Sequence, residues 1–393
     1  MPERPPIEIG PGGELDGSGQ AILSNTQSAG AAVPRYEPFP SLDAMLEPAE
    51  ITRLTGLPVR SLTVEDASGV DTSTGARFQR VYVDGAPRSS FFIKCVEPAK
   101  DWVALSTDDQ QRRALAVWSE GVLDRLPRQV DGAVVACASW DDGYAVLMPD
   151  ISDHLLVPGK RLGMNESGAL VSALAALHVR FWEDVTLAEL ALGLCPPKLF
   201  LSHTSPQRAS RLRQLLESFV FGAIENGWDA LPTFIDAGLV SDLRALNDDP
   251  SPILAALADS PRTLVHSDYR PANLGLRTSG DGSITVILVD WGRPLFGAPT
   301  IDLGYYLGWT ALERATDVDT TVAAYESHLR VGLGHEIDDL EWEVHREVGI
   351  LGGLLNTICF SALRARGDDS DAATERAALE WWAPRMRAAL DLI

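Results

Sequence analysis

Residues 264–292 have the sequence LVHSDYRPANLGLRTSGDGSITVILVDWG, and this stretch decides the fold. It contains Asp268, then Asn273 five residues later, then Asp290 directly after the apolar run 286–289. The apolar run predicts a buried strand that ends at a carboxylate. Carboxylate and amide oxygens are the ligands that Mg²⁺ prefers. The stretch therefore predicts a catalytic carboxylate beside a two-ligand magnesium site.

The length and net charge of the chain limit its number of domains and its possible binding partners. The chain has 393 residues, which predicts two or three domains or lobes. Its formal net charge of −22 argues against nonspecific binding of nucleic acid and against docking on an anionic membrane. A cationic substrate is compatible with this charge, and so is an acidic, solvated surface that keeps the protein soluble.

The cysteines and the N-terminus predict a cytoplasmic protein. The four cysteines are widely spaced in apolar segments and form no CxxC pair, so we interpret them as reduced core residues: Cys95, Cys137, Cys195 and Cys359. The N-terminal sequence MPERPPIEIGPGGELDGSGQ contains no apolar signal core. The charge-free run 348–363 is shorter than the ~20 residues that a membrane span needs, and predicts a buried helix.

The first third of the chain predicts a tail followed by a small sheet. Residues 1–38 are rich in Pro, Gly and Ser, which predicts a disordered tail. Residues 39–148 predict a small antiparallel β lobe with one main helix. We expect that helix at 107–126 and strands at 77–83, 90–95, 134–137 and 144–148.

The remainder, residues 149–393, predicts a larger and mostly helical lobe. We expect helices at 169–182, 210–221 and 240–247 and from 301 to the end, with short strands at 274–277 and 284–289. The predicted fold class is thus α+β and bilobal, with a ligand cleft between the lobes.

The motifs in 264–292 resemble those of the aminoglycoside phosphotransferase and choline kinase group, relatives of the protein kinases. Members of that group carry H-G-D-x-x-x-x-N, a hairpin, and then D-W or D-F-G; this chain has His266 to Asn273 and then Asp290-Trp291-Gly292. The resemblance covers about residues 45–390 and implies a protein-kinase-like fold. It implies that Asp268 orients or deprotonates an acceptor hydroxyl, while Asn273 and Asp290 hold Mg²⁺.

Three neighbouring residues have a role under this resemblance and a simpler alternative. Arg270 would contact the γ-phosphate; otherwise it is a surface residue that pairs with a carboxylate. His266 is better explained as holding the loop by hydrogen bonds than as transferring a proton. Asp302 would brace the catalytic loop, and its alternative is to cap the next helix, two roles that are compatible.

The resemblance also implies a nucleotide site in residues 39–148. Lys94, inside the most apolar strand, would reach the α- and β-phosphates, unless it is an edge-strand lysine facing solvent. Ser68 and Gly69 lie in a stretch expected to cover the phosphates, although any Ser/Gly hairpin has a similar composition. Met148 and Asp150 would belong to the hinge that meets the adenine edge.

Two departures from the family pattern weaken the expectation of turnover. The helix after Lys94 normally supplies a Glu to that lysine, and here the position is Ala114; the substitutes available in sequence are Glu120, Asp108 and Asp109. Ser267 replaces the usual Gly, which tolerates backbone angles that Ser does not. The alternative is therefore a catalytically weak or inactive kinase-fold protein that binds nucleotide or regulates a partner.

These observations predict an ATP- and Mg²⁺-dependent phosphotransferase that modifies a hydroxyl of a small molecule. An aminoglycoside, a sugar or an amino alcohol would each fit, and the sequence does not distinguish ATP from GTP or reveal the oligomeric state. Protein kinase activity is disfavoured, because only about a dozen residues separate Asp290 from the helix near Asp302, with no A-P-E pattern between them.

Overall fold

A computed structural model describes residues 36–67, 74–86, 88, 90–334 and 339–393. The predicted tail over 1–38 thus lies outside the described residues up to residue 35. The described chain begins with Tyr36, whose backbone N–H donates to the Ser119 carbonyl at 2.7 Å and whose ring packs on Trp118 at 5.3 Å.

Antiparallel strands from the N-terminal part of the chain form one sheet, in the order β1-β2-β3-β6-β5. The strands of the described chain are β1 Leu62–Asp66, β2 Arg77–Val83, β3 Phe91–Val96, β4 Val130–Asp131, β5 Ala136–Trp140, β6 Gly143–Pro149, β7 Thr263–Val265, β8 Leu274–Thr278, β9 Ile284–Leu288 and β10 Leu295–Gly297. In β3 the buried side chains of Phe91, Ile93 and Cys95 alternate with half-buried Phe92 and Lys94, as the period of two in a strand requires.

Helices dominate the rest of the chain. The described helices are α1 Leu42–Met45, α2 Pro48–Thr55, α3 Trp102–Thr107, α4 Arg113–Ser119, α5 Met164–Arg180, α6 Thr186–Glu189, α7 Pro197–Leu201, α8 Pro206–Leu212, α9 Phe219–Ala230, α10 Ala237–Asp248, α11 Ser251–Ala256, α12 Thr300–Trp309, α13 Val318–Leu333, α14 Asp339–Leu355, α15 Ile358–Arg364 and α16 Ser370–Leu390. The α+β class predicted from the sequence is confirmed.

The single helix predicted over 107–126 was wrong. The chain turns at Asp108 and Arg112, whose φ angles are 54° and 56°, and so forms the short helices α3 and α4. The buried Arg113 guanidinium stabilises this break because it donates to the carbonyls of Thr107 and Asp108 at 2.6 and 3.0 Å. Carbonyls at the end of a helix have no partner within the helix, and Arg113 supplies one to the Thr107 carbonyl at the end of α3.

The helix predicted over 210–221 was also wrong, because two helices share that segment. Helix α8 ends at Leu212, and α9 begins after Ser218, whose hydroxyl accepts a hydrogen bond from the Val220 N–H at 3.3 Å. A serine in this position is a preferred helix N-cap.

Two smaller sheets connect the parts of the molecule. Strand β9 pairs antiparallel with β8 and parallel with β4, so the hairpin from 274–288 is joined to a strand from the first third of the chain. Strands β7 and β10 pair antiparallel. These pairings hold the loop that follows β7 and the end of β9 against each other.

The hydrophobic residues form one cluster around the N-terminal sheet and a larger one among the helices. Helix α5 supplies fully buried Leu170, Leu174 and Leu177, and Phe181 follows it, which is the apolar face predicted from the sequence. The single buried helix predicted over 348–363 was wrong, because the chain turns at residues 356–357, between α14 and α15. In the described part of the chain no helix is both long and apolar enough to span a bilayer. All four cysteines are buried and free.

Candidate active site

The β8–β9 hairpin brings Asn273 and Asp290 to one place. Asn273 ends a 3-10 helix just before β8, and Asp290 follows β9. The pairing of Leu274 with Leu288 puts both residues at the same end of the hairpin. There the Val289 N–H donates to the Asn273 carbonyl at 3.1 Å. The pair joined by sequence reasoning is therefore adjacent in the fold.

Asp302 holds the loop that carries Asp268. Its two carboxylate oxygens accept hydrogen bonds from the backbone N–H groups of His266 and Ser267, both at 2.7 Å. Asp302 is fully buried, and His178 Nε2 lies 3.4 Å from one of its oxygens. The alternative role as a helix cap was wrong, because Pro299 is the N-cap of α12 and Asp302 lies inside the first turn.

Ser267 has the left-handed backbone that makes glycine favourable at this step, with a φ of 63°. Its N–H is fixed by Asp302, and its hydroxyl donates to the Arg293 carbonyl. Side-chain and backbone hydrogen bonds thus offset a conformation that disfavours serine.

His266 takes part in the same loop through its ring. Nδ1 accepts a hydrogen bond from the Asp268 N–H at 3.2 Å, and the ring packs edge-on against Trp291. Burial lowers the pKa of His266, although Asp302 and Asp268 oppose that effect. A neutral imidazole that accepts at Nδ1 agrees with the structural interpretation of this residue.

Asp268 is held through Oδ1. That oxygen accepts from Arg293 Nη2 at 2.7 Å and from the Tyr305 hydroxyl at 2.8 Å, and Arg270 Nε lies 3.1 Å away. Burial alone would raise the pKa of Asp268, but Arg293, Arg270 and Tyr305 together hold it well below its ordinary value. The carboxylate is therefore ionised at neutral pH and fixed in orientation.

Arg270 pairs with a carboxylate, but it is not the surface residue that the alternative supposed. Its side chain is 23% exposed and lies beside Asp268. Its guanidinium lies 5.4 Å from the centre of the Trp309 ring. A second guanidinium, from Arg364, lies 4.9 Å from the same ring.

Lys94 lies in the middle of the sheet, and its side chain reaches Asp290. Strand β3 is flanked by β2 and β6, so the alternative of an edge-strand lysine was wrong. Lys94 Nζ lies 2.7 Å from Asp290 Oδ1. Burial alone would lower the pKa of Lys94, and the carboxylates of Asp290 and Asp101 outweigh burial and raise it. The lysine is thus a buried cation.

A cavity of about 380 Å³, partly open to solvent, joins these groups. Its lining includes Lys94, Asp268 and Asp290 together with Asp101 and Arg293. Carboxylates and cations that lie far apart along the chain thus share one cleft.

The predicted nucleotide residues are not all in this cleft. Ser68 and Gly69 lie outside the described residues. Met148 and Asp150 are not in the cavity lining. The Asp150 N–H donates to the Ser90 carbonyl at 3.0 Å, and its carboxylate pairs with Arg80 at 2.8 Å. Their role as an adenine hinge stays a prediction.

The carboxylate missing at Ala114 is not replaced by the residues considered from the sequence. Asp108 and Glu120 end the helices α3 and α4. Asp109 lines the cavity but accepts from the Arg113 N–H at 2.9 Å. The contact of Lys94 is with Asp290 instead.

Sequence reasoning missed three residues of this site: Arg293, Tyr305 and Asp101. The first two were within reach, because Arg293 directly follows the motif Asp290-Trp291-Gly292, and Tyr305 is three residues after Asp302 on one helix face. Asp101 was missed because the helix was predicted to begin at residue 107, whereas α3 begins at Trp102. In the structure it caps α3, with Oδ1 accepting from the Ala104 N–H at 2.9 Å.

The side chains of Asn273 and Asp290 fit a hard cation. Asn273 Nδ2 donates to the Asp268 carbonyl at 3.0 Å, so its oxygen is the atom left to act as a ligand. In the described part of the chain no cluster of three or more His, Cys, Asp or Glu residues forms a metal site. Two protein oxygens are the usual share for Mg²⁺, which takes its other ligands from phosphates and water.

Comparison with known proteins gives one match by family. The model of the phosphotransferase enzyme family matches residues 71–336, about two thirds of the chain. No curated protein sequence matches the chain significantly.

Solved structures align with most of the chain at low identity. An ethanolamine kinase from Plasmodium vivax is 14% identical with a TM-score of 0.49, and 84% of this chain and 85% of that chain are covered. A choline kinase from Cryptosporidium parvum is 10% identical with a TM-score of 0.47 and coverage of 84% and 90%. An aminoglycoside phosphotransferase from Streptomyces rimosus, in complex with ADP and streptomycin, is 15% identical with a TM-score of 0.41 and coverage of 74% and 92%. Such likenesses say nothing about the acceptor of this chain.

Proposed function

Because the chain belongs to the phosphotransferase enzyme family, we propose that it transfers the γ-phosphoryl group of ATP to a hydroxyl of a small molecule, with Mg²⁺ as cofactor. The observation that carries this proposal is the joint cavity of Asp268, Lys94 and Asp290. It combines an oriented carboxylate with a buried cation and a metal-binding carboxylate, the groups that phosphoryl transfer to a hydroxyl requires.

Asp268 is the catalytic residue in this proposal. Since its three partners all contact Oδ1, Oδ2 is the oxygen that would receive the acceptor hydroxyl. A carboxylate with a strongly lowered pKa is a weak base. Asp268 therefore acts mainly by aligning the hydroxyl, and takes its proton late, as the bond to phosphorus forms.

Asn273 and Asp290 would hold the metal. Their side-chain oxygens supply one neutral and one charged ligand, and the hydrogen bond from Asn273 Nδ2 to the loop fixes which amide atom is offered. When bound, Mg²⁺ neutralises charge on the phosphates. Asp290 also has a φ of 68°, a conformation that costs free energy in a non-glycine residue and is frequent at functional sites.

Lys94 and Arg270 would contact the phosphates. Lys94 is a buried cation on a central strand, so its position is set by the sheet rather than by a flexible surface chain. Arg270 lies beside Asp268, where a positive charge stabilises the phosphoryl group as it moves to the acceptor.

The acceptor is expected to be a polyol, sugar, amino alcohol or aminoglycoside. A cationic acceptor suits the net charge of −22. The aromatic ring of Trp309, however, is not available to bind a cation. Trp309 lies close to the guanidinium groups of Arg270 and Arg364, which repel a quaternary ammonium group. Neutral sugars and polyols therefore belong in the test beside the cationic compounds.

The test is a screen for acceptor-stimulated ATP consumption with Mg²⁺, with aminoglycosides, sugars, amino alcohols and nucleosides as acceptors. We expect at least one class to stimulate turnover, and Asp268→Asn to lower that turnover by ~10³-fold while ATP still binds. Stimulated turnover that is equal in the variant would contradict the role of Asp268. Nucleotide binding with no stimulated turnover by any acceptor would instead support the inactive, regulatory alternative.

A further inference from the structure

The counter-charge of Lys94 raises a problem for the proposed reaction. In the structure Lys94 Nζ contacts Asp290 Oδ1 at 2.7 Å, and its side chain is only 15% exposed. The proposed function also needs Asp290 as a ligand of Mg²⁺. When Asp290 turns to the metal, the largely buried ammonium loses the carboxylate that now holds it. A second carboxylate is then needed to keep the ammonium in position for the phosphates that it would contact.

Asp101 meets the requirements for that second carboxylate. It is 5% exposed, and it lines the same cavity as Lys94 and Asp290. Its carboxylate and the Lys94 ammonium are opposite charges in one partly enclosed cavity, where Coulomb attraction is stronger than in bulk water.

The position of Asp101 is fixed on both sides. Its Oδ1 accepts from the Ala104 N–H at 2.9 Å as the N-cap of α3. The next residue, Trp102, donates its N–H to the Thr74 carbonyl at 3.2 Å, beside the start of β2. The carboxylate is thus anchored at the edge of the cavity.

Asp109 and Asp268, which also line the cavity, each have a cationic partner of their own. Asp109 accepts from the Arg113 N–H at 2.9 Å, and Arg113 Nε lies 3.9 Å away. Asp268 is held by Arg293 and Tyr305. Asp101 is therefore the carboxylate best able to take over Lys94.

We propose that Asp101 is the positioning residue of Lys94: it replaces the helix carboxylate missing at Ala114 and receives the ammonium group when Asp290 turns to the metal. This inference rests on the proposed function, since it assumes that Lys94 contacts the nucleotide. The carboxylate comes from a helix N-cap rather than from a helix face, so a different local structure supplies the same charge.

The test is a double-mutant cycle read as the dissociation constant of Mg²⁺-ATP. Asp101→Asn removes the charge but keeps a preferred N-cap, so the fold is retained. We expect it to weaken binding by ~10-fold, and Lys94→Met to weaken it by at least as much. In the Lys94→Met background, Asp101→Asn should change binding by less than twofold, because the group on which it acts is gone.

A matched control separates charge from capping. Asp317 caps α13 with the same Oδ1-to-N–H contact at 2.7 Å, far from the cavity, and Asp317→Asn should leave binding unchanged. Asp101→Ser provides a second uncharged cap and should reproduce the effect of Asp101→Asn.

The outcomes distinguish the two proposals. If Lys94→Met binds Mg²⁺-ATP as tightly as the wild type, the proposed nucleotide site is wrong. If Lys94→Met weakens binding but Asp101→Asn has no effect, or an equal effect in both backgrounds, the nucleotide site stands and the role of Asp101 is overturned.

Discussion

The two sides of the cleft are built differently. On the loop side, Asp268 and its backbone are held by buried partners: Arg293 and Tyr305 on the carboxylate and Asp302 on the loop N–H groups. On the lysine side, Lys94 is held by Asp290, a group that the proposed reaction requires for the metal.

The difference indicates which part of the site is organised before substrates arrive. The loop side needs no rearrangement to present Asp268 Oδ2, because fixed donors already determine its orientation. In the proposed reaction, the lysine side exchanges an ion pair when Mg²⁺ and nucleotide bind. We therefore expect variants on the loop side to change stability and turnover, and variants on the lysine side to change nucleotide binding.

The largest effect on the loop side is expected from Asp302→Asn. The asparagine side chain has one acceptor oxygen, whereas the Asp302 carboxylate has two. Of the two buried N–H groups, those of His266 and Ser267, one would therefore face an NH₂ group and lose its acceptor. We expect the free energy of unfolding to fall by about 3 kcal/mol, measured by urea denaturation. Asp319→Asn is the control, because Asp319 also lies in the first turn of a helix but is 66% exposed. Equal stability of the two variants would contradict the bracing role.

On the lysine side, Asp101 should make stability depend on pH. Burial raises its pKa to about 6 from 3.8, against the opposing charge of Lys94. The folded protein then binds the proton more tightly than the unfolded chain, so stability falls as pH rises between about 4 and 6 and is level above that. Over this pH range, the contribution of Asp101 to the free energy of unfolding falls by about 3 kcal/mol.

The measurement is the difference in unfolding free energy between wild type and Asp101→Asn, taken at several pH values. We expect the free energy of unfolding of the wild type to fall relative to that of Asp101→Asn between pH 4 and pH 7. The charged and titratable groups that face Asp101, namely Lys94, Asp290 and Tyr144, are the same in both proteins, so their titration largely cancels in the difference. The same comparison between the wild type and Asp317→Asn should change in the opposite direction with pH, because hydrogen bonds from Thr320 lower the pKa of Asp317. A pH-independent difference at Asp101 would show that its carboxylate is not desolvated.

A smaller effect is expected from Tyr305→Phe. The change removes one donor to Asp268 Oδ1 and one acceptor for Arg293, while the ring remains. We expect kcat to fall about 10-fold with the affinity for ATP unchanged, measured by steady-state kinetics and direct titration. The control is Tyr36→Phe, which removes a hydroxyl bonded to Asp124 and should leave both quantities unchanged. Loss of ATP affinity in Tyr305→Phe would break the division between the two sides.

The smallest effect concerns the backbone at Ser267. Ser267→Ala and Ser267→Gly both lose the hydrogen bond to the Arg293 carbonyl, but glycine tolerates the φ of 63°. We expect the Gly variant to be more stable than the Ala variant by about 1 kcal/mol in urea denaturation. At Ser139, in strand β5, the order should reverse. The same order at both positions would mean that Ser267 is not strained.

The loop side was largely predictable from the sequence, because its parts are local. Asp268, Asn273 and Asp290 belong to one stretch whose hairpin register brings the last two together. The bracing role of Asp302 was implied by the resemblance to the phosphotransferase and choline kinase group. Arg293 and Tyr305 were not predicted, because they lie 25 and 37 residues after Asp268 and no short motif states which donor meets which oxygen.

The lysine side was less predictable, because contacts distant in sequence decide it. The sequence shows that position 114 carries no carboxylate, but it does not show which group contacts Lys94 instead. Helix α3 begins five residues earlier than expected and ends where Arg113 binds the Thr107 carbonyl and, from the same guanidinium, the distant carbonyl of Gly193. No local pattern reveals such a contact, and so Asp101 remained hidden.

Hydrogen exchange of the backbone, with and without Mg²⁺-ATP, tests most directly whether the loop side is organised in advance. The amides of His266 and Ser267 should be protected in the free protein, since Asp302 accepts from both, and should change little on binding. New protection should be confined to segments near Lys94 and Asp101. If His266 and Ser267 exchange freely until Mg²⁺-ATP is added, the loop side is assembled by the substrate and the account is wrong.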